Sequence, residues 1–421
     1  MRRNILKDYI KNLYNHVQDP IFKDSYYLFV TYIIVVGSGF IFWVIGARFY
    51  SANDLGLATA IISIIGLISM LSFLGFDIAL VKYIPELKEQ EELINSCLTV
   101  SLVFALVLTL IFLLGINIWS PSLIVLRENT LVMVLFVIVT TISPLITLQS
   151  FGVFAGLKKG EYSLMQNMVI PLRLLFLVLL IPFGIFGIVF SYGIVFIIAF
   201  VIGILLTSKL VSYRFIPTVK KDVIIHIFRF SSGNYIARIF ENLPTFILPL
   251  MIINILGADQ NAYFFIAWQI SMLLLAIPYV IYISLIAENT QSMVELRKNT
   301  KKAAILIFVS LSVASIFLLL FGKFILFIFG QEYAANSYDI LILFVIGNFI
   351  YYINTLYATV NRVLKKTNYV IFIYVTIGLF TLIFTYVLIP LFGLIGVGYA
   401  WIIANGLIIM ISLPQLKKHY L

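Results

Sequence analysis

Four polar side chains, Asn234, Arg238, Glu241 and Thr245, interrupt one apolar run at spacings of 4, 3 and 4, so they share one face of a helix. A charge in hydrocarbon costs roughly 2.5–3.5 kcal/mol on insertion scales, which keeps such a face away from lipid. Two chemistries fit it. Arg238 and Glu241, three residues apart, can neutralise each other as a structural ion pair. Alternatively, Arg238 presents a cation to an anionic substrate while Glu241 exchanges H+ or Na+, with occupancy of one depending on the other. Arg173 lies midway along another apolar run with no acidic residue within one turn. Its partners therefore come from another helix, from water, from substrate, or from carbonyls freed near Pro171. Asn354, Tyr357 and Asn361 recur at helical spacing, as amides and phenols do that line a wet groove, contact sugar or hold helices together.

The elements that must position these groups follow from composition. Of 421 residues, 62% are hydrophobic and 11% charged, against roughly 45–50% and 25% in soluble proteins. So few charges cannot cover a water-soluble surface. The apolar residues fall in long runs near 27–47, 55–80, 93–118, 130–151, 162–182, 186–208, 230–255, 263–287, 303–328, 338–361, 368–389 and 392–413. Most reach the roughly 20 residues that cross a bilayer as helix. An all-α integral membrane protein with about 12 transmembrane helices is expected.

Basic residues set its orientation. With the N-terminus in the cytoplasm, 23 of the 28 Lys and Arg residues fall in cytoplasmic segments, as the positive-inside rule requires. The formal charge of +10 is thus scattered through short loops, which argues against a nucleic-acid footprint. The reading is a multi-pass protein of the cytoplasmic membrane with both termini cytoplasmic.

The chain also nearly repeats itself at a spacing of 207–209 residues. Leu157–Lys158–Lys159 and Tyr162 match Leu364–Lys365–Lys366 and Tyr369. Leu180–Ile181–Pro182 with Gly184 and Gly187 matches Leu388–Ile389–Pro390 with Gly393 and Gly396. An offset of six spans keeps both halves in the same orientation, related by an axis along the membrane normal. The expected organisation is a cytoplasmic segment 1–26, an N-lobe 27–208, a linker 209–229, a C-lobe 230–413 and a tail 414–421. Two lobes in one chain make a monomer sufficient. Neither Arg173 nor the Arg238/Glu241 pair has a counterpart in the other half, so a shared scaffold would hold an unsymmetrical site.

No G-x-x-x-x-G-K-[ST] loop is present to bind a nucleotide phosphate. The lone Cys97 and the three histidines have no metal-ligand spacing, and no Ser–His–Asp set can be assembled at one depth. The expectation is therefore no catalytic residues, no metal and no cofactor, with H+ or Na+ as possible coupling ions.

Residues 37–86 carry a recognisable pattern: Gly39–Phe40 and Ala47–Arg48–Phe49–Tyr50, then Asp54–Leu55–Gly56, then Leu74–Gly75–Phe76–Asp77 and Tyr83–Ile84–Pro85–Glu86. This pattern resembles the N-terminal signature of Wzx-type polysaccharide flippases, within the multidrug/oligosaccharidyl-lipid/polysaccharide exporter superfamily. The resemblance implies a two-lobed, MATE-like transporter. It would move a polyprenyl- or dolichyl-linked oligosaccharide, held through its (di)phosphate, from the cytoplasmic to the outer leaflet by alternating access. Arg48 matches the arginine of the signature and is assigned on that basis to substrate, with an interfacial anchor as the alternative reading of its position. Arg173 and Arg238 answer to the family's need for buried cations. Two other functions fit less well: a cation-coupled multidrug or metabolite exporter, and a membrane-embedded glycan polymerase or ligase, for which the outside loops are short.

Overall fold

The computed structural model describes residues 20–86, 90–211, 214–287 and 292–419. The described residues are almost wholly helical. The principal helices are α1 (Pro20–Phe49), α2 (Ala52–Ser72), α3 (Phe76–Tyr83), α4 (Gln90–Leu114), α5 (Thr130–Thr147), α6 (Gly160–Asn167), α7 (Leu172–Leu179), α8 (Ile185–Val211), α9 (Lys221–Ile255), α10 (Ala258–Leu273), α11 (Ala276–Ala287), α12 (Met293–Phe329), α13 (Tyr338–Val363), α14 (Thr367–Phe392) and α15 (Ile395–His419).

Eleven helical stretches among the described residues are long and apolar enough to cross a membrane. The eighth of the twelve expected spans, 263–287, is divided into α10 and α11. The break has a local cause. Pro278, in the first turn of α11, cannot donate to the carbonyl four residues back, and its ring excludes a continuous helix there. The amides of Leu274 and Leu275 turn instead to Ser271 and Met272, at 3.2 and 3.0 Å. Span five breaks the same way before Leu172 at Pro171. Arg173 lies one residue beyond that break, its amide bonded to the Ile170 carbonyl at 3.2 Å. Span four stays continuous through Pro144 but widens into a π-helical segment, Leu148–Val153.

The signature residues 51–56 start α2. Ser51 Oγ donates to the Asp54 carboxylate at 2.7 Å and accepts from the Asp54 amide at 3.0 Å, a reciprocal cap. Gly56 then allows a close helix approach. A Cβ added there would lie 1.8 Å from the Ala258 carbonyl oxygen, and Asn261 Nδ2 donates to the Gly56 carbonyl at 2.7 Å.

The repeat is visible in the backbone. Lys158 and Lys365 both adopt left-handed conformations, with φ of 54° and 56°. In each turn the following lysine amide reaches back to the carbonyl five residues earlier, Lys159 to Phe154 and Lys366 to Asn361, both at 2.8 Å. Gly184 and Gly393 form the second matched pair, with φ of 55° and 59°.

By packing, the chain forms two compact units. One comprises the described residues up to Phe42, with Ile68–Gly115 and Leu126–Ser232; the other comprises Trp43–Leu67, Ile116–Val125 and the described residues from Gly233 onward. The first is centred on Phe76, Leu80, Cys97, Leu148 and Phe154. An aromatic cluster of Phe264, Trp268, Phe344 and Trp401 lies within the second. Between the spans that end at Leu210 and begin at Ser231, α8 runs on to Val211 and α9 begins at Lys221, so helix enters the connecting segment from both sides. The start of α4 holds it. Asn95 Nδ2 donates to the Arg214 carbonyl at 3.1 Å, and Lys220 pairs with Glu92 at 3.0 Å.

Candidate functional site

Among the described residues Arg173 is the most deeply placed cation of the first unit, 7% exposed. Its Nη2 donates to the Val35 carbonyl and to Ser38 Oγ, each at 3.1 Å. The guanidinium lies 5.4 Å from the centroid of the Phe42 ring. These partners are a carbonyl, a hydroxyl and a ring, none of them charged. Among the described residues Nε has no hydrogen-bond partner. Gly39 gives the guanidinium room, since a Cβ there would meet Nη2 at 3.2 Å. The broken helix at Pro171 and the polar turn of α1 thus present a desolvated cation whose partners among the described residues carry no charge.

The second constellation lies in the other unit. Glu241, on α9, is paired with Arg362 at the end of α13, Oε2 to Nη2 at 3.2 Å. The two side chains are 25% and 28% exposed. The Arg362 guanidinium also lies 5.2 Å from the centre of the Tyr374 ring. The phenols of Tyr282, Tyr351 and Tyr374 are within electrostatic range of the carboxylate, and the Tyr282 hydroxyl donates to the Tyr352 carbonyl at 3.1 Å. Gly378 lets α14 approach α9 closely, with Phe240 carbonyl oxygen 2.6 Å from where a Cβ would stand.

The other sequence-selected residues divide by environment. Asn234 is exposed and Arg238 and Thr245 are half-buried on α9. The Arg238 carbonyl accepts from Asn242 Nδ2 at 2.9 Å. Asn354 is fully buried and ties α13 to α15, donating to the Asn405 carbonyl at 3.0 Å and accepting from Ser412. Asn361 is buried against its own helix, its Nδ2 donating to the Tyr357 carbonyl at 2.8 Å. Tyr357 lines a cavity formed by α13, α14 and α15 and open on one side. Arg48 closes the end of α12: Nε and Nη2 donate to the carbonyls of Ile328 and Phe327, both at 2.6 Å, and its guanidinium packs on the Phe327 ring. That is a helix C-cap made by a cation, favourable for the last carbonyls and for the helix dipole.

Arg362 is one of the 23 basic residues that count toward the cytoplasmic side, and that count does not single it out as the partner of Glu241. A signal existed: Tyr351, Thr355 and Arg362 share one face of α13, at offsets of 4 and 7.

Residues 21–287 match the family model described as polysaccharide biosynthesis protein. The chain belongs to the polysaccharide biosynthesis protein family. Membership bears out the resemblance read from residues 37–86. The solved structures agree on the fold. The lipid II flippase MurJ in an inward closed conformation is 14% identical and superposes with a TM-score of 0.73, over 94% of this chain and 87% of that one. An inward-facing multidrug resistance MATE family transporter of the MOP superfamily is 15% identical, with a TM-score of 0.67 over 92% and 94%. A MOP superfamily transporter from Pyrococcus furiosus is 13% identical, with a TM-score of 0.62 over 95% and 96%. A sequence comparison with curated proteins finds no significant match. The fold is thus that of MOP-superfamily transporters and flippases, all-helical and spanning the membrane many times.

Proposed function

We propose that this protein flips a polyisoprenoid-(di)phosphate-linked oligosaccharide from the cytoplasmic to the outer leaflet by alternating access, in the making of a cell-surface glycan. The observation that carries the reading is Arg173, a cation 7% exposed whose neighbours leave its charge uncancelled. Such a group attracts a phosphate that must leave water, without the tight grip that would trap it. Membership of the polysaccharide biosynthesis family supports the sugar-linked substrate. The protein acts as a transporter rather than an enzyme, in the cytoplasmic membrane with both termini inside, and one chain suffices.

Glu241 is the coupling carboxylate in this reading, exchanging H+ or Na+ when Arg362 releases it. The same carboxylate supports a second reading, a cation-coupled exporter of drugs or metabolites on the MATE fold. Reconstitution separates them. In liposomes, a fluorescent polyisoprenyl-diphosphate oligosaccharide should gain outer-leaflet exposure faster with protein than without. Equal rates sink the flippase reading, and drug uptake without glycan transfer selects the exporter.

A further inference from the structure

The cavity that Tyr357 faces takes no part in the chemistry above. It holds about 330 Å³ and is lined by Tyr369, Phe372, Ile373, Ile408 and Ile411 among others. Ile373 and Ile408 form its buried wall, at 2% exposure each. Tyr369, Phe372 and Ile411 are 53%, 51% and 47% exposed, so the cavity opens sideways from the bundle. All three helices are long and apolar enough to cross a membrane, and the opening lies along them close to their lysine-bearing ends. An apolar cavity of roughly 150 Å³ accepts benzene, so this one accepts a single chain on the order of a dozen carbons.

The head of that occupant is indicated by charge. Lys365 and Lys366 are exposed and immediately precede the lining residues Asn368 and Tyr369. Lys417 and Lys418 are exposed within two turns of Ile411 on α15. A chain in oil gains little by moving between oil and an apolar cavity. Selectivity must then come from the lysines, and they select a phosphate.

The matching place in the N-terminal half is built differently. Glu161 stands where Asn368 does. Tyr162 packs inward on Phe154, ring centroids 6.0 Å apart, whereas its counterpart Tyr369 turns outward. The repeat supplies the turn in both halves, and the second half has a cavity beside it and no carboxylate at the turn.

We infer that this cavity seats one acyl chain of an anionic bilayer phospholipid whose phosphate is taken by Lys366 and Lys417, a site separate from the transport path. Native mass spectrometry of the full chain, delipidated and then offered phosphatidylglycerol, phosphatidylcholine or a polyisoprenyl phosphate, tests it. One phosphatidylglycerol adduct should persist after other lipids are stripped. Lys366→Gln and Lys417→Gln should each weaken it by about fivefold relative to phosphatidylcholine. Ile411→Trp, which closes the opening, should remove the retained adduct with the thermal midpoint preserved. Phe372→Trp serves the same end if Ile411→Trp does not fold. Retention that ignores the closing variants, no preference for the anionic head, or tighter retention of the polyisoprenyl phosphate overturns the inference.

Discussion

Replacing Arg173 by Met separates a cation kept for the substrate from one kept for the fold. The lost interactions can be counted from the geometry. Nη2 gives up two hydrogen bonds, to the Val35 carbonyl and to Ser38 Oγ. Neither acceptor is orphaned, because Ser38 Oγ itself donates to the Val35 carbonyl at 3.2 Å. Each bond has a charged donor and counts at about 1.5–3 kcal/mol. The contact with the Phe42 ring adds about 0.5–2 kcal/mol. Against these losses stands relief from burying a charge in the membrane, roughly 2.5–3.5 kcal/mol. The losses exceed the relief by about 0–5 kcal/mol, so the variant should unfold in mixed micelles no more than about 5 kcal/mol below the wild type. Flipping by the folded protein should fall as well. A charge-assisted contact to phosphate contributes about 1.5–3 kcal/mol, which is about 10- to 150-fold in rate. The assay is outer-leaflet exposure of a fluorescent polyisoprenyl-diphosphate oligosaccharide in proteoliposomes. Wild-type flipping in a folded Arg173→Met protein refutes the substrate role, and a destabilisation well beyond about 5 kcal/mol refutes the count of lost contacts.

The Glu241–Arg362 pair, 25% and 28% exposed, falls between surface pairs and buried ones, and a double-mutant cycle with Ala should return a coupling of about 1–2 kcal/mol. Zero coupling in unfolding titrations would mean the pair is not formed in the bilayer. Arg48→Ala should reduce stability by about 1–3 kcal/mol through loss of two cation-carbonyl bonds at the end of α12, while the substrate concentration giving half-maximal flipping stays unchanged. A shift in that concentration at constant stability would assign Arg48 to the substrate. Lys365→Gly and Lys158→Gly should each raise stability by about 0.5–1 kcal/mol, since glycine relieves the left-handed backbone at both turns. If only one does so, the two turns are not energetically equivalent.

Much of this molecule was legible because bilayer thickness converts hydrophobic length into spans with little ambiguity. The matched lysine turns were readable too, since the capping hydrogen bonds at Lys159 and Lys366 depend on local backbone geometry that the repeated residues specify. What escaped was decided over longer distances. Glu241 read either as the ion-pair partner of Arg238 or as a coupling carboxylate, and nothing local pointed to Arg362, bonded to it from 121 residues away on α13. Arg48 read as an anchor or a substrate contact because nothing near it in sequence announces the open carbonyls of Phe327 and Ile328. The divided eighth span followed from Pro278, a signal present in the sequence but overridden there by the length of the apolar run.

The membership of Trp43–Leu67 in the second unit has a consequence for synthesis. Ser51–Gly56 meets its packing partners Ala258 and Asn261 only after about 200 further residues have been added. At roughly 5–20 residues per second, that wait is about 10–40 s. During it the first two helices sit in the bilayer with one flank unmatched, and Gly56 exposes a bare strip of backbone that only a later helix can cover. Assistance from an insertion chaperone would be most needed in that interval, and truncation anywhere before α10 should leave a protein that inserts but stays susceptible to degradation.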